Sequence, residues 1–221
     1  MSIVDFVIHD FDGTLFDTYP IIINILMNAL EKSGVQTKYS YDYILRLMKI
    51  NYKHTLNTIT GDNLDILEKV KKNNLELKRK DKSIPDITDG LVEYMDFSKE
   101  NNIRNFIISN NRQCKIVEIL EYYNIDNFDD IVTPFNYGGF KKKPSAEMFK
   151  YLIDKHNLRS KKGLSVGDRM LDLEPSRNCR IPFIFMGYTN NEKENDVQNI
   201  EDYNDFMNIV LSPRRVMQRE D

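Results

Sequence analysis

The sequence is short of the features that mark specialised folds. Its 221 residues include two cysteines, Cys114 and Cys179, which stand far apart and match no metal-ligand spacing. Both read as buried, reduced thiols. No apolar run approaches the ~18 residues that a membrane-spanning helix needs. The first residues lack the basic region, apolar core and cleavage site of an export signal, so export is not expected. Net charge is only −3, too small to imply a nucleic-acid partner. Internal repeats and low-complexity linkers are absent as well. The expectation is a cytoplasmic globular protein with neither a membrane nor a nucleic acid as its partner.

What is present points to an α/β fold. Hydrophobic residues make up 41% and charged residues 29%, ordinary values for a globular chain. The length suffices for a full core and one smaller unit. Strand-like segments fall at 3–9, 104–109, 130–133, 163–167 and 182–186. Helical patterns lie at 89–101, 112–122, 145–156 and 170–178, with a last one near 202–210. Strands alternating with helices predict βαβ units and a mostly parallel sheet. Ligands of such sheets bind beyond the carboxyl ends of the strands, where Asp10, Ser109 and Asp168 would each lie.

Residues 18–85 break the rhythm. Apolar residues recur there at helical spacing, as in Ile22, Ile25, Leu26, Ala29 and Leu30. Thr18 would cap the first of these helices, Pro20 would sit in its first turn and Gly34 would end it. The segment reads as an all-helical insert, with 1–17 and 86–221 forming the core and Pro85 marking the return. Two chain crossings between the units make a natural hinge for a closing lid. The insert carries a local charge of +5, leaving −8 on the remainder. A basic insert over an acidic core would draw in an anion. Most lysines from Lys69 to Lys82 read more simply as a solvated helix face.

The richest segment is Val4 to Leu15, an apolar run that ends in Asp10-Phe11-Asp12-Gly13-Thr14. Strand alternation would put Asp10 and Asp12 on one side. Two such carboxylates repel unless a cation or a shared proton offsets them. The pair therefore suits a magnesium site with a carboxylate nucleophile and a second carboxyl for proton transfer. The plainer reading is a strand ending in an Asp-Gly turn. Three more segments follow: Phe106-Ile-Ile-Ser109-Asn110-Asn111, Lys143-Pro144, and Val166-Gly167-Asp168 with Asp172 four residues on. Singly, Ser109 could be a helix cap, Lys143 one of three solvated lysines, and Asp168 with Asp172 a favourable helix start.

In order, spacing and strand-end placement, the four segments resemble the haloacid dehalogenase-like hydrolase superfamily, in its branch with a helical cap and a phosphoglycolate phosphatase-like pattern. The resemblance implies a three-layer, Rossmann-like α/β core with an inserted all-helical cap, and Mg2+ as cofactor. It implies that Asp10 is the nucleophile and Asp12 the general acid/base. Ser109 and Asn110 would bind the phosphoryl group, and Lys143 would pair with nucleophile and phosphate. Asp10, Asp168 and the Asp12 backbone carbonyl would hold the metal, with Asp172 in support. Arg180 stands where the family commonly has glycine, and the cap lacks the usual glycine near Lys49 to His54.

The substrate implied is a small phosphorylated metabolite. Asp12 favours phosphate esters over carbon–halogen bonds, because only an alkoxide leaving group needs a proton. A phosphomutase of the β-phosphoglucomutase type shares all four segments. A non-enzymatic regulator on the same fold would be expected to have lost one of the chemical groups. In the insert, Arg46, Lys49, Lys53 and His54 are the polar residues that would meet substrate, with Lys49 and Lys53 on one helix face. Tyr39, Tyr41, Tyr43 and Tyr52 read as packing.

Overall fold

The computed structural model describes residues 4–36, 38–187 and 197–211. The first elements are β1 (Phe6–His9), β2 (Phe16–Asp17), α1 (Tyr19–Lys32), α2 (Tyr41–Ile50), α3 (Tyr52–Thr60) and α4 (Leu64–Lys80). They are followed by β3 (Asp86–Ile87), α5 (Leu91–Glu100), β4 (Arg104–Ile108), α6 (Gln113–Tyr122) and β5 (Asp130–Val132). The chain continues through α7 (Glu147–Lys155), β6 (Gly163–Gly167), α8 (Met170–Asn178), β7 (Phe183–Met186), β8 (Gln198–Ile200) and α9 (Tyr203–Leu211). It divides into two compact units, Met1–Asp17 with Ile87–Asp221, and Thr18–Asp86.

The larger unit is built on a six-stranded sheet in the order β5-β4-β1-β6-β7-β8, with every pairing parallel. Strands buried on both faces need apolar residues at successive positions, which Phe6-Val7-Ile8 and Phe183-Ile184-Phe185-Met186 supply. Alternation then sorts them. Val7, Ile107, Val166 and Ile184 pack with Leu91, Ile116 and Phe206 from α5, α6 and α9. Phe6, Ile8, Phe106 and Ile108 pack with Met148, Phe149 and Leu152 of α7 on the opposite face. Leu173 of α8 joins Phe183 and Phe185 there. The result is the expected three-layer, Rossmann-like arrangement. From β1 the sheet grows through β4 and β5 on one side and β6, β7 and β8 on the other. That reversal opens a crevice at the carboxyl end of β1.

The smaller unit consists of α1 to α4 around Ile23, Leu26, Leu30, Ile44, Met48, Leu56, Ile59 and Val70. The side chains of Ser40, Asn51 and Asn63 cap α2, α3 and α4 by accepting first-turn N–H bonds. Gly34 ends α1 at φ +78°, with the Val35 N–H donating back to Leu30 O (3.0 Å). Tyr39 stacks on Tyr43 at 4.9 Å, and the Tyr52 hydroxyl accepts from Asn74 (2.8 Å).

Several expectations are corrected. Thr18 stands at the α1 N-cap, but its side chain makes no capping bond because its backbone is already in the helical region. Lys49 and Lys53 do not share a helix: Asn51 is extended and its side chain starts α3, so α2 ends at Ile50. Both cysteines are free, yet Cys114 is exposed on α6 and Cys179 only half-buried. Strands β2, β3 and β8 carry too short or too polar a run to show in the sequence. Arg180 takes the left-handed conformation glycine would favour, φ +57°, and α8 still closes through Ile181 N–H to Ser176 O (3.0 Å).

His9 ends β1 on the α5/α9 side, fully buried. Its Nε2–H donates to Asn105 Oδ1 (3.1 Å), so Nδ1 accepts from the Tyr203 hydroxyl (2.7 Å). The Tyr94 hydroxyl also donates to Asn105 Oδ1 (2.8 Å), and Asn105 Nδ2 donates to Ser98 Oγ (2.8 Å). Burial pushes the His9 pKa from 6.5 down to about 3, against the opposing Asn105 bond. The folded chain thus refuses a proton that the unfolded chain accepts below pH 6.5. Stability contributed by neutral His9 falls as pH drops from 6.5 towards 3, at up to ~1.4 kcal/mol per unit. Urea unfolding should show wild type losing about 2 kcal/mol more than His9→Gln between pH 6.5 and 4.5. Equal slopes for the two proteins would remove His9 as the cause.

Candidate active site

Three neighbouring parallel strands end in step, and each is followed at once by a polar residue of interest. Asp10 follows β1, Ser109 follows β4 and Asp168 follows β6. The ladder runs one residue past its strands: Asp10 N–H donates to Val166 O (2.9 Å) and Ser109 N–H to Val132 O (3.2 Å). These bonds fix where the side chains emerge. Asp10, Ser109 and Asp168 are all buried.

After Asp10 the chain turns rather than continuing as a strand. Leu15 and Phe16 N–H groups both reach Phe11 O (3.2 Å each), and Gly13 supplies the left-handed residue at φ +78°. Thr88 pins the turn, its N–H on Leu15 O (3.1 Å) and its hydroxyl on Thr14 O (2.7 Å). The alternation that would align Asp10 with Asp12 therefore does not apply. Both Asp12 carboxylate oxygens face Asn111 Nδ2 at 3.4 Å.

Asp10, Asp168 and Asp172 form a carboxylate cluster, with one oxygen from each lying within 4.8 Å of the others. Asp172 reaches it from the first turn of α8, where its Oδ2 accepts the Arg169 N–H (3.2 Å). Lys143 offsets the charge. Its Nζ donates to Asp10 Oδ1 (2.6 Å), to Ile108 O (2.9 Å) and to Asp172 Oδ1. The Lys143 backbone is fixed by a reciprocal pair, its N–H on Asn110 Oδ1 (2.8 Å) and its carbonyl accepting from Asn110 Nδ2 (3.2 Å). Ser109 Oγ accepts the Asn111 N–H (3.0 Å).

The charges settle as burial and neighbours dictate. Burial works against the Lys143 ammonium, but Asp10 and Asp172 outweigh it and its pKa is raised. Burial, then repulsion from Asp10, pushes the Asp172 carboxyl up to about 7, against the pull of Lys143 and Arg169. A carboxylate cluster so strained suits a hard divalent cation, which takes oxygen ligands and lowers the pKa of those it binds. Asp10 Oδ2 is buried with no hydrogen-bond partner among the described residues. By donor type and by that orphaned oxygen, Asp10, Asp168 and Asp172 fit magnesium.

Asn110 and Lys143 are thus joined to the cluster of Asp10, Asp168 and Asp172, while Asp12 and Ser109 meet at Asn111. Lys49, Lys53 and His54 belong to the smaller unit. Lys49 Nζ lies 5.5 Å from the Tyr19 ring, and Lys53 and His54 occupy the exposed first turn of α3. Two participants carried no role in the sequence reading. Asn111 was visible only as an amide at a strand end, and Arg169 only as the neighbour of Asp168.

Gly167 leaves the cluster its room. A Cβ there would fall 2.6 Å from Asp172 Cβ and 2.9 Å from its Cγ. Gly167→Ala should displace Asp172 from Lys143 and cost roughly 1–3 kcal/mol in urea unfolding. A loss under about 0.5 kcal/mol would mean that α8 yields freely.

A model of haloacid dehalogenase-like hydrolases matches residues 7–186. No curated relative matches the chain. Among solved structures, a hydrolase from Streptococcus pneumoniae is 26% identical, with 81% of this chain and 91% of that one covered and a TM-score of 0.57. A predicted phosphoglycolate phosphatase from Haemophilus somnus is 17% identical over 93% and 97% of the two chains, with a TM-score of 0.78. CbbY from Rhodobacter sphaeroides, in complex with xylulose-(1,5)bisphosphate, is 14% identical over 91% and 95%, with a TM-score of 0.67. The last two show likeness of fold.

Proposed function

We propose a reaction for this chain on one settled premise: it belongs to the haloacid dehalogenase-like hydrolase family. The reaction is hydrolysis of a small phosphorylated metabolite, through an aspartyl-phosphate (acyl phosphate) intermediate on Asp10. The observation that carries this reading is the state of Asp10. One of its oxygens is held by Lys143, and the other is buried with no hydrogen-bond partner among the described residues. A carboxylate held in one orientation at the end of a central strand is placed to act as a nucleophile.

In this reading Asp10 attacks phosphorus, the P–O bond to the leaving group breaks, and Asp12 protonates the departing alkoxide. Asp12 then takes a proton from the water that attacks the phospho-aspartate, and inorganic phosphate leaves. Ser109 and Asn110 bind the phosphoryl oxygens. Lys143 neutralises charge on nucleophile and phosphate, easing the approach of two anions. Asp10, Asp168 and the Asp12 carbonyl would hold Mg2+, with Asp172 in support. When bound, the ion supplies charge neutralisation and orientation at the phosphoryl group. The helical unit serves as the cap, and Lys49, Lys53 and His54 are its substrate contacts. The proposed place of action is the cytoplasm; among the described residues no helix is long and apolar enough to cross a membrane. The phosphate-bearing ligand in the CbbY structure supports the substrate class.

The purified protein should release phosphate from p-nitrophenyl phosphate or acetyl phosphate in the presence of Mg2+. Asp10→Asn should lower the rate by about three orders of magnitude or more. Wild-type activity in that variant would refute the role of Asp10. With β-glucose 1-phosphate, free phosphate is the expected product, and glucose 6-phosphate would show a mutase instead. Once the true substrate is known, Lys49→Ala and Lys53→Ala should each raise KM. Unchanged kinetics in both would place these lysines outside the substrate site.

A further inference from the structure

The carboxylate cluster is met by two cations from two sides, and they differ in how they are held. Lys143 bonds Asp10 Oδ1 (2.6 Å), Asp172 Oδ1 and Ile108 O (2.9 Å), and its side chain is 1% exposed. It has no path to solvent without breaking three bonds. Arg169 approaches the remaining oxygens. Its Nε lies 3.2 Å from Asp168 Oδ1 and its Nη2 lies 3.7 Å from Asp10 Oδ2. Its side chain is 17% exposed, against 1% for Lys143, and it stands at the N-cap of α8. Asp10 Oδ2 is the oxygen that is buried with no hydrogen-bond partner among the described residues.

The oxygens that Arg169 approaches belong to Asp10 and Asp168, two of the three carboxylates grouped closely enough to take a divalent cation. A guanidinium and a metal ion cannot both sit against them: they would share ligands and repel each other at close range. Arg169 is the more exposed of the two and meets the carboxylates at longer range, so Arg169 is the group that yields. We propose that Arg169 is the resident counter-ion of the metal-free cluster, and that a divalent cation binds Asp10 and Asp168 by displacing its guanidinium towards solvent. Arg169 is then a positioning residue that lowers metal affinity while stabilising the apo protein. The inference rests on reading this cluster as a divalent-cation site.

The two effects have opposite signs, which a merely structural role would not produce. Mn2+ alone should be titrated into the metal-free full-length protein, with bound ion followed by electron paramagnetic resonance. Arg169→Gln should bind Mn2+ at least about fivefold more tightly than wild type, the size of a modest coupling between competing ligands. The same variant should melt at a lower temperature without metal and gain more from added Mg2+. Arg169→Lys should fall nearer to wild type in both. Equal or weaker Mn2+ binding by Arg169→Gln, beside a wild type that binds, would overturn the displacement while leaving the metal site standing. Absence of Mn2+ binding by wild type would overturn the metal reading itself, and this inference with it. A readout on unaltered protein guards against a variant that fails to fold. The Arg169 Nε–H resonance of wild type should exchange faster with water when Mg2+ is added, and no change at saturating Mg2+ would also sink the proposal.

Discussion

Everything in the larger unit converges on the problem of burying three carboxylates together. Asp10, Asp168 and Asp172 are all nearly inaccessible, and like charges so close would not persist unaided. The Lys143 ammonium makes the arrangement possible, and it comes from a loop far along the chain. That loop has little regular structure of its own. Its grip on the site comes from Asn110, whose amide binds the Lys143 backbone on both sides. Asn110 directly follows Ser109, so the sheet edge that presents Ser109 also holds the loop that brings the lysine. The cluster is therefore assembled from the register of β1, β4 and β6 together with one amide clamp.

This dependence explains what could be read from the sequence. Asp10, Ser109 and Asp168 were legible because each follows an apolar run that alternates with helices, and the strand-end rule then places all three on one edge. Lys143 was one lysine among three in a row; only the order of motifs singled it out, since nothing local reports which of them reaches the cluster. The alternation used to relate Asp10 and Asp12 assumes that the strand runs on, whereas β1 ends at His9. Phe11 instead anchors a turn by accepting two N–H bonds with its carbonyl. The break between Lys49 and Lys53 had a visible signal in Asn51, a residue type that starts helices more readily than it continues them. β8 had none, since Gln198 and Asn199 give an edge strand no apolar signature.

The second cation shows a further limit. Arg169 stands next to Asp168 in sequence, yet adjacency says nothing about direction. Asp168 belongs to the end of the ladder and Arg169 to the N-cap of α8, with φ −137° and ψ 159°. That extended residue lets the guanidinium fold back over the carboxylates while its own N–H binds Asp172. One short turn thus supplies a carboxylate, its counter-charge and the bond that orients the next carboxylate.

The register that places Asp10 is held from the other face of β1. Val7 and His9 point towards α5 and α9, while Phe6 and Ile8 point towards α7. A slip of one residue would exchange those faces and bring Asp10 into the aromatic layer of Tyr94, Tyr203 and Phe206. Apolar neighbours alone tolerate such a slip poorly, but they accept many similar side chains. His9 is more selective. Its two ring nitrogens need a donor on one side and an acceptor on the other, and Tyr203 with Asn105 supply them only in this register. Because burial keeps that ring neutral, it adds no positive charge to compete with Lys143 for the carboxylates one residue away. The position of the carboxylate at the end of β1 is thus secured by an adjacent histidine with no part in the chemistry.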